Sequence, residues 1–234
     1  MDRAEKKQSY SEELLLNGSD DELANRFFGD PFDFEALFLA AEDETMGESG
    51  APLVVMLGLA MRNETFQQVA RDRVSIDPNL HDLAKLPSGS LGREYFEYVS
   101  RHQIDLNFFP KPQGDGLLDW FKGYLRSTHD LMHLVAGYEP HFGEELAFQA
   151  FYCSNLRSSF GMLCVAQSLH YIELRHPKLL KLHLDNVVEA YARGALAKPL
   201  VWCDWQASWN TPLADIRRNL AVSRRNRPVS TLRK

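Results

Sequence analysis

The sequence has little of what marks several large protein classes. It has three cysteines, Cys153, Cys164 and Cys203, and no CxxC pair. That excludes a disulfide scaffold, and the odd count fits a reducing compartment. Spacing places Cys153 and Cys164 on one helix, three turns apart and too far to bridge, and all three read as small buried hydrophobes. No apolar run is long enough for a membrane span. The longest, Ala51 to Met61, falls well short of the ~20 residues a helix needs to cross a bilayer. The N-terminal MDRAEKKQSY has no signal-peptide core. There is no excess of positive charge: the net charge of −6 argues against nucleic acid as a partner. Period-two alternation, strand-helix alternation, internal repeats and low-complexity tracts are also missing, which leaves an all-α chain. No flavin, haem or Rossmann fingerprint is visible.

What is there is an ordinary globular composition, 44% hydrophobic and 25% charged over 234 residues, enough for one domain with a sizeable core. The expected organisation has three parts. Residues 1–18 are a disordered N-terminal segment, 19–222 a helical domain of seven to nine helices, and 223–234 a basic C-terminal tail carrying Arg224, Arg225, Arg227, Arg233 and Lys234. Ser19-Asp20-Asp21-Glu22 reads as a capping box for a short helix ending at Gly29, and Asp33 caps a second. An apolar helix follows over 52–63 and another over Thr65–Arg73. The turn Pro87 to Gly92 leads into REYFEYVSRHQ. A Pro- and Gly-containing loop over 107–116 precedes a long helix from about Asp115, which Gly137 and Pro140 stop. A second long helix is expected from His141 to about Arg175, apolar nearly all round and so buried on most sides. Pro177 opens the next helix, closed by Gly194, and Thr211-Pro212 opens the last.

The run His129-Asp130-Leu131-Met132-His133, with Glu145 beyond the Gly137 to Pro140 break, is the chemically loaded part of the chain. Histidines at i and i+4 share one helical face, so both imidazoles can meet one ion without moving the backbone. Asp130 lies about 100° round the helix from His129; it reaches the same ion from the edge of the face or orients a histidine from behind. Glu145 needs a chain reversal, which Gly137-Tyr138-Glu139-Pro140 supplies. His141, Glu139 and Glu144 are rival ligands close by. Two nitrogens and two oxygens suit zinc first, ferrous iron next, and magnesium least. A position left open for water or substrate marks a catalytic ion. A second metal reading takes His81 or His102, the pair His129-Asp130, and Asp185 as the pattern of an HD-type phosphohydrolase; it accounts for neither His133 nor Glu145.

HD-x-x-H-x11-E (His129, Asp130, His133, Glu145) resembles the signature of the coenzyme Q biosynthesis protein 4 family. Two further blocks are similar to that family's: the turn Pro87 to Tyr95 (PSGSLGREY), and Trp205, Trp209, Thr211-Pro212-Leu213 and Ile216-Arg217. The resemblance implies an all-helical bundle with an apolar lipid-binding groove, a divalent metal on the four motif residues, and a polyprenylated quinone precursor or isoprenoid lipid as ligand. It implies a role in ubiquinone synthesis, at the oxidative decarboxylation of C1 of a polyprenylated 4-hydroxybenzoate-type head group. It further implies a homodimer, a peripheral seat on the inner membrane, and contacts with other quinone-biosynthesis proteins. Early acids (Asp2, Glu5, Glu12, Glu13) do not make a mitochondrial presequence, so a bacterial, cytoplasmic member is expected. Within the apolar 142–175 stretch, Phe148, Phe151, Tyr152 and Phe160 are expected to wall the groove, and small residues such as Ser158 to leave it room. Arg157, a charge among apolar neighbours, needs a partner or holds a substrate anion. The competing reading from another class is a non-catalytic scaffold that binds and presents isoprenoid lipids.

Overall fold

The computed structural model describes residues 50–108 and 114–223, and singly Arg26, Ala36 and Arg225. The two expected N-terminal helices lie outside the described residues, apart from Arg26 and Ala36, which are helical. Nine α-helices with defined ends follow among the described residues, and no strand: α1 (Gly50–Ala60), α2 (Glu64–Arg71), α3 (Leu80–Leu83), α4 (Leu91–His102), α5 (Leu117–Ala136), α6 (Phe142–Leu156), α7 (Ser159–Arg175), α8 (Leu180–Leu196) and α9 (Leu213–Asn219). The fold is all-α, as composition and periodicity require.

Caps set the ends where the sequence offers them. The side chains of Asn63, Asn79, Ser90 and Ser158 each accept a backbone N–H at the start of α2, α3, α4 and α7. The core runs through the middle of the bundle and is dominated by Phe66, Tyr95, Phe121, Phe148, Phe151 and Trp205, all essentially sealed from solvent. The inner face of α1 (Leu53, Met56, Leu57, Ala60) joins that core, while Val54 and Val55 face outward. Two of the blocks noted in the sequence meet each other. Leu91 N–H donates to Thr211 O at 2.8 Å, Leu213 N–H to Gly89 O at 2.8 Å, and Ser90 and Pro212 form an isolated antiparallel bridge. The PSGSLG turn and the Thr-Pro-Leu segment are therefore one structural unit.

Four expectations are corrected. The continuous helix over 141–175 is two helices: Arg157 adopts the left-handed conformation (φ 61°) as the C-cap of α6, and Ser158 restarts the chain by accepting the Gly161 N–H at 2.9 Å. Apolar character all round hid the break, because a buried corner between two buried helices has the same composition as one buried helix. Arg157 is consequently exposed at that corner rather than buried, and Cys153 and Cys164 lie on different helices. Gly194 does not close its helix, which runs to Leu196. Instead it brings α8 onto α6: a Cβ there would stand 2.3 Å from Phe151 O and 2.3 Å from Ser154 Oγ. Across the same contact Asn155 Nδ2 donates to Gly194 O (3.1 Å) and Lys198 O (3.1 Å), and Asn155 Oδ1 accepts Leu200 N–H (2.9 Å). The contact between α6 and α8 is the most extensive in the bundle, and it fixes the helix that carries Glu145.

Candidate metal centre

The site is built on the C-terminal half of α5 and the first turn of α6. α5 ends at Gly137, whose positive φ of 80° allows Gly137 N–H and Tyr138 N–H both to donate to His133 O, at 2.8 and 3.0 Å. Arginines from the far end of the chain hold the last carbonyls of α5. Arg193 Nη2 donates to Ala136 O (2.9 Å), and Arg217 donates to Val135 O (3.0 Å) and Leu134 O (2.8 Å), where a helix C-terminus favours positive charge. α6 begins after His141, with Glu144 and Glu145 in its first turn, the end of a helix that favours acids.

This turn brings three side chains together. His129, His133 and Glu145 each offer a ligand atom, and those atoms lie within 4.8 Å of one another. His133 Nε2 is 3.1 Å from His129 Nε2 and 2.8 Å from Glu145 Oε2; His129 Nε2 is 3.7 Å from Glu145 Oε1. Ligands about 2.1 Å from a tetrahedral ion stand about 3.4 Å apart, so the triangle is the size such an ion needs. Two imidazoles and one carboxylate suit zinc or ferrous iron and leave room for a further ligand. Phe148, one turn along α6 from Glu145, lies against the His133 ring (centroids 3.8 Å) and edge-on to His129 (5.3 Å), walling one side.

The electrostatics are those of a coupled cluster. Burial works to raise Glu145, but the charge and hydrogen bond of His133, and then His129, hold its carboxyl down to about 2. Burial works to lower His133, yet the charge and hydrogen bond of Glu145, aided by Asp130, move it upward overall. His129 is pushed down by burial and by His133, against the pull of Glu145 and Asp130. Both shifts favour an imidazolium at His133 beside an ionised Glu145, and an arriving cation competes with that proton. Tyr98 of α4 is raised by burial and by Asp130, Glu145 and Glu139, so it is a neutral phenol; it donates to Tyr138 O at 3.0 Å.

Of the four motif residues, Asp130 stands outside the triangle, although its field reaches His129, His133 and Tyr98. Two of the rival ligands are engaged elsewhere: Glu139 faces His102 at 2.5 Å, and Glu144 pairs with Arg225 while fully buried. His141 is the N-cap residue of α6 without a side-chain cap bond, and it stands outside the triangle. The HD-type set is not assembled: His81 sits exposed on α3, and Asp185 pairs with Lys181 at 2.6 Å on the surface of α8. Tyr152 and Phe160 are buried, Tyr152 beside Phe148 (5.7 Å), and Ser158 is a helix cap. Arg157 follows the end of α6, about 18 Å along the axis from Glu145 at 1.5 Å per residue. Sequence reasoning missed Gln149, which bonds Glu145, although the i, i+4 spacing was legible. It also missed Arg225, from the stretch read as a tail: its guanidinium lies 4.3 Å over the Tyr138 ring, and Arg193 Nη2 donates to Ser223 O at 2.6 Å. No local pattern announces a partner more than eighty residues away.

No helix among the described residues is long and apolar enough to cross a membrane. Among known proteins, a crystal structure of a candidate ubiquinone biosynthesis protein from Nostoc punctiforme shares the fold (TM-score 0.71, 22% identity, 96% of this chain and 100% of that one). The chain is 25% identical over 186 residues to the mitochondrial ubiquinone biosynthesis protein COQ4 homolog of Aedes aegypti, covering 76% of this chain and 66% of that protein. It is 24% identical over 161 residues to the rat homolog, covering 67% of this chain and 60% of that one; it thus spans about two thirds or less of the length of these relatives. Residues 36–226 match the family model for the coenzyme Q (ubiquinone) biosynthesis protein Coq4, and with most of its length matched, the chain belongs to that family.

Proposed function

We propose that this protein holds a divalent cation, zinc first, on His129, His133 and Glu145, and uses it in ubiquinone synthesis at the oxidative decarboxylation of C1 of a polyprenylated 4-hydroxybenzoate-type head group. The observation that carries this reading is the alignment along α6. Glu145, Gln149 and Cys153 follow at i, i+4 and i+8 on one face. Cys153 lines an apolar groove of about 200 Å³ with Ala150, Met162, Val165, Val187, Val188 and Tyr191. The α6 residues that line the groove, Ala150 and Cys153, stand about 7 to 12 Å along the helix from Glu145, at 1.5 Å per residue. An amphipath with a polar ring at the ion and an isoprenoid tail in the groove has that shape. Continuing the groove, Met162, Val188 (67% exposed) and Leu196 (80% exposed) leave an apolar face on α7 and α8, which suits a longer tail and a peripheral seat on a bilayer. A homodimer, contact with other quinone-biosynthesis proteins and a cytoplasmic location belong to the same proposal.

The roles follow from position. When bound, a divalent cation supplies Lewis-acid withdrawal of electron density from a phenolic oxygen. Glu145 and the two imidazoles hold it; Phe148 keeps water from one side; Asp130 adds a negative field that favours a cation. Tyr152, Phe160 and Ser158, expected at the groove, are not among the residues that line it: Tyr152 and Phe160 are buried, and Ser158 holds the corner between α6 and α7. Arg157 lies too far along α6 to reach a head group at the ion and is left at the surface. The step replaces the C1 carboxylate with a hydroxyl and needs an oxidant, supplied by dioxygen or by a partner protein.

The test is incubation of the metal-loaded protein with a prenylated 4-hydroxybenzoate derivative under air. Release of CO2 that disappears in His133→Ala supports the enzyme. The exposed apolar face favours one other reading, a lipid-presenting scaffold, for which the same incubation yields bound lipid and no turnover.

A further inference from the structure

We propose that Gln149 is a positioning residue of the metal centre and that Gly161, on the next helix, leaves its carboxamide the room it needs. The inference rests on the reading of His129, His133 and Glu145 as ligands. Glu145 divides its carboxylate between two partners. Oε2 meets His133 Nε2 at 2.8 Å, and Oε1 accepts Gln149 Nε2 at 2.7 Å. The Glu145 side chain is 37% exposed, so packing alone does not select its rotamer. The two contacts do: Oε2 is held against His133, and Oε1, the oxygen that faces His129 Nε2 at 3.7 Å, is held by Gln149. A neutral amide is the suitable donor here. It orients the carboxylate without adding the positive charge that would repel a cation, and without neutralising the ligand.

Gln149 is held in turn by the return of the chain. After the corner at Arg157 and Ser158, the first turn of α7 lies directly over α6. A Cβ at Gly161 would stand 3.1 Å from Gln149 Oε1, 3.2 Å from Gln149 O and 3.1 Å from Cys153 Sγ. Gly161 is buried and its N–H is fixed by Ser158 Oγ at 2.9 Å, so the turn cannot easily swing away. A side chain at position 161 presses equally on the carboxamide that holds Glu145 and on Cys153 Sγ. A residue on a different helix, outside the motif, is thereby placed two contacts from Glu145.

The experiment uses the full chain, stripped with a chelator and reloaded with Zn2+ or Co2+. Zn2+ affinity is read by competition with a chromophoric chelator, and ligand geometry by the visible absorption of bound Co2+. Gln149→Leu, which keeps the bulk and removes the donor, should weaken Zn2+ binding roughly 10–100-fold, the range for loss of such outer partners, and alter the Co2+ spectrum. Gly161→Ala should act in the same direction by a smaller factor, with metal-free melting temperatures near wild type for both. Unchanged affinity and spectrum in both variants would overturn the proposal. If Gln149→Leu does not fold, Gln149→Asn, too short to reach Glu145, and Gly161→Ala carry the test with the same outcomes. The two layers separate cleanly. Wild type that binds ions, loses them in His133→Ala and keeps them in Gln149→Leu refutes the positioning role alone. Wild type that takes up no ion refutes the centre itself, and the positioning role with it.

Discussion

Gly194→Ala sets two ordinary effects against each other, and the structure decides the sign. In an isolated helix the change favours folding by about 1 kcal/mol, because alanine loses less backbone freedom. Here the new methyl would lie 2.3 Å from Phe151 O, 2.3 Å from Ser154 Oγ and 3.0 Å from Phe151 C. Ser154 can turn its hydroxyl, at the loss of its 2.7 Å bond to Tyr191 O. The Phe151 carbonyl belongs to the α6 backbone and cannot turn. The two helices must part by about 1 Å to restore ordinary contact distances. That movement pulls on the Asn155 bonds to Gly194 O and Lys198 O. Overpacking a fitted contact costs about 1–3 kcal/mol, and each buried hydrogen bond disturbed costs about 1 kcal/mol more. The net expectation is a loss of about 2–3 kcal/mol, which in a chain of this size lowers the melting temperature by roughly 4–12 °C. Urea unfolding at neutral pH measures it, with the denaturant slope unchanged. A variant as stable as wild type, or more so, would refute the claim that α8 and α6 meet backbone to backbone at this residue.

Two further outcomes are expected. His183 is fully buried, and neither ring nitrogen has a hydrogen-bond partner; burial, and then the charge of His176, hold it below its ordinary value of 6.5. The unfolded chain takes up that proton first, so stability is full above about pH 6.5 and is lost as pH falls, by up to about 1.4 kcal/mol per pH unit. His183→Phe should flatten the dependence of the urea midpoint between pH 7.5 and 5.5, and an unchanged slope would count against it. Arg225→Ala removes the cation paired with buried Glu144 and stacked on Tyr138, at a cost of about 2–4 kcal/mol. Adding Glu144→Gln should restore part of that loss, and full stability of the single variant by calorimetry would contradict the docking of this segment.

Helix type and the meeting of His129, His133 and Glu145 were legible in the sequence because both are periodic and local: His129 and His133 share a face by spacing alone, and Gly137 announces the turn that brings Glu145 back. What escaped was decided by packing across distance. The corner at Arg157 and Ser158 is apolar on every side, so periodicity ran straight through it. Gly194 has the look of a helix stop, yet serves the approach of α6, which no local pattern records. The place of Asp130, by contrast, was legible: it lies about 100° round the helix from His129, and it stands outside the triangle. Arg193 reaches Tyr138 because α8 packs on α6, and Arg225 does so because the segment after α9 returns to the α5–α6 turn.

The central claim is that α5 and α6 together grip one cation through two imidazoles and a carboxylate. Elemental analysis of the chelator-stripped, zinc-reloaded protein beside His129→Ala, His133→Ala and Glu145→Ala tests it most directly. The account predicts one tightly held ion per wild-type chain and its loss from each variant. An ion absent from wild type, or retained at full stoichiometry in the His133→Ala and Glu145→Ala proteins, would contradict it.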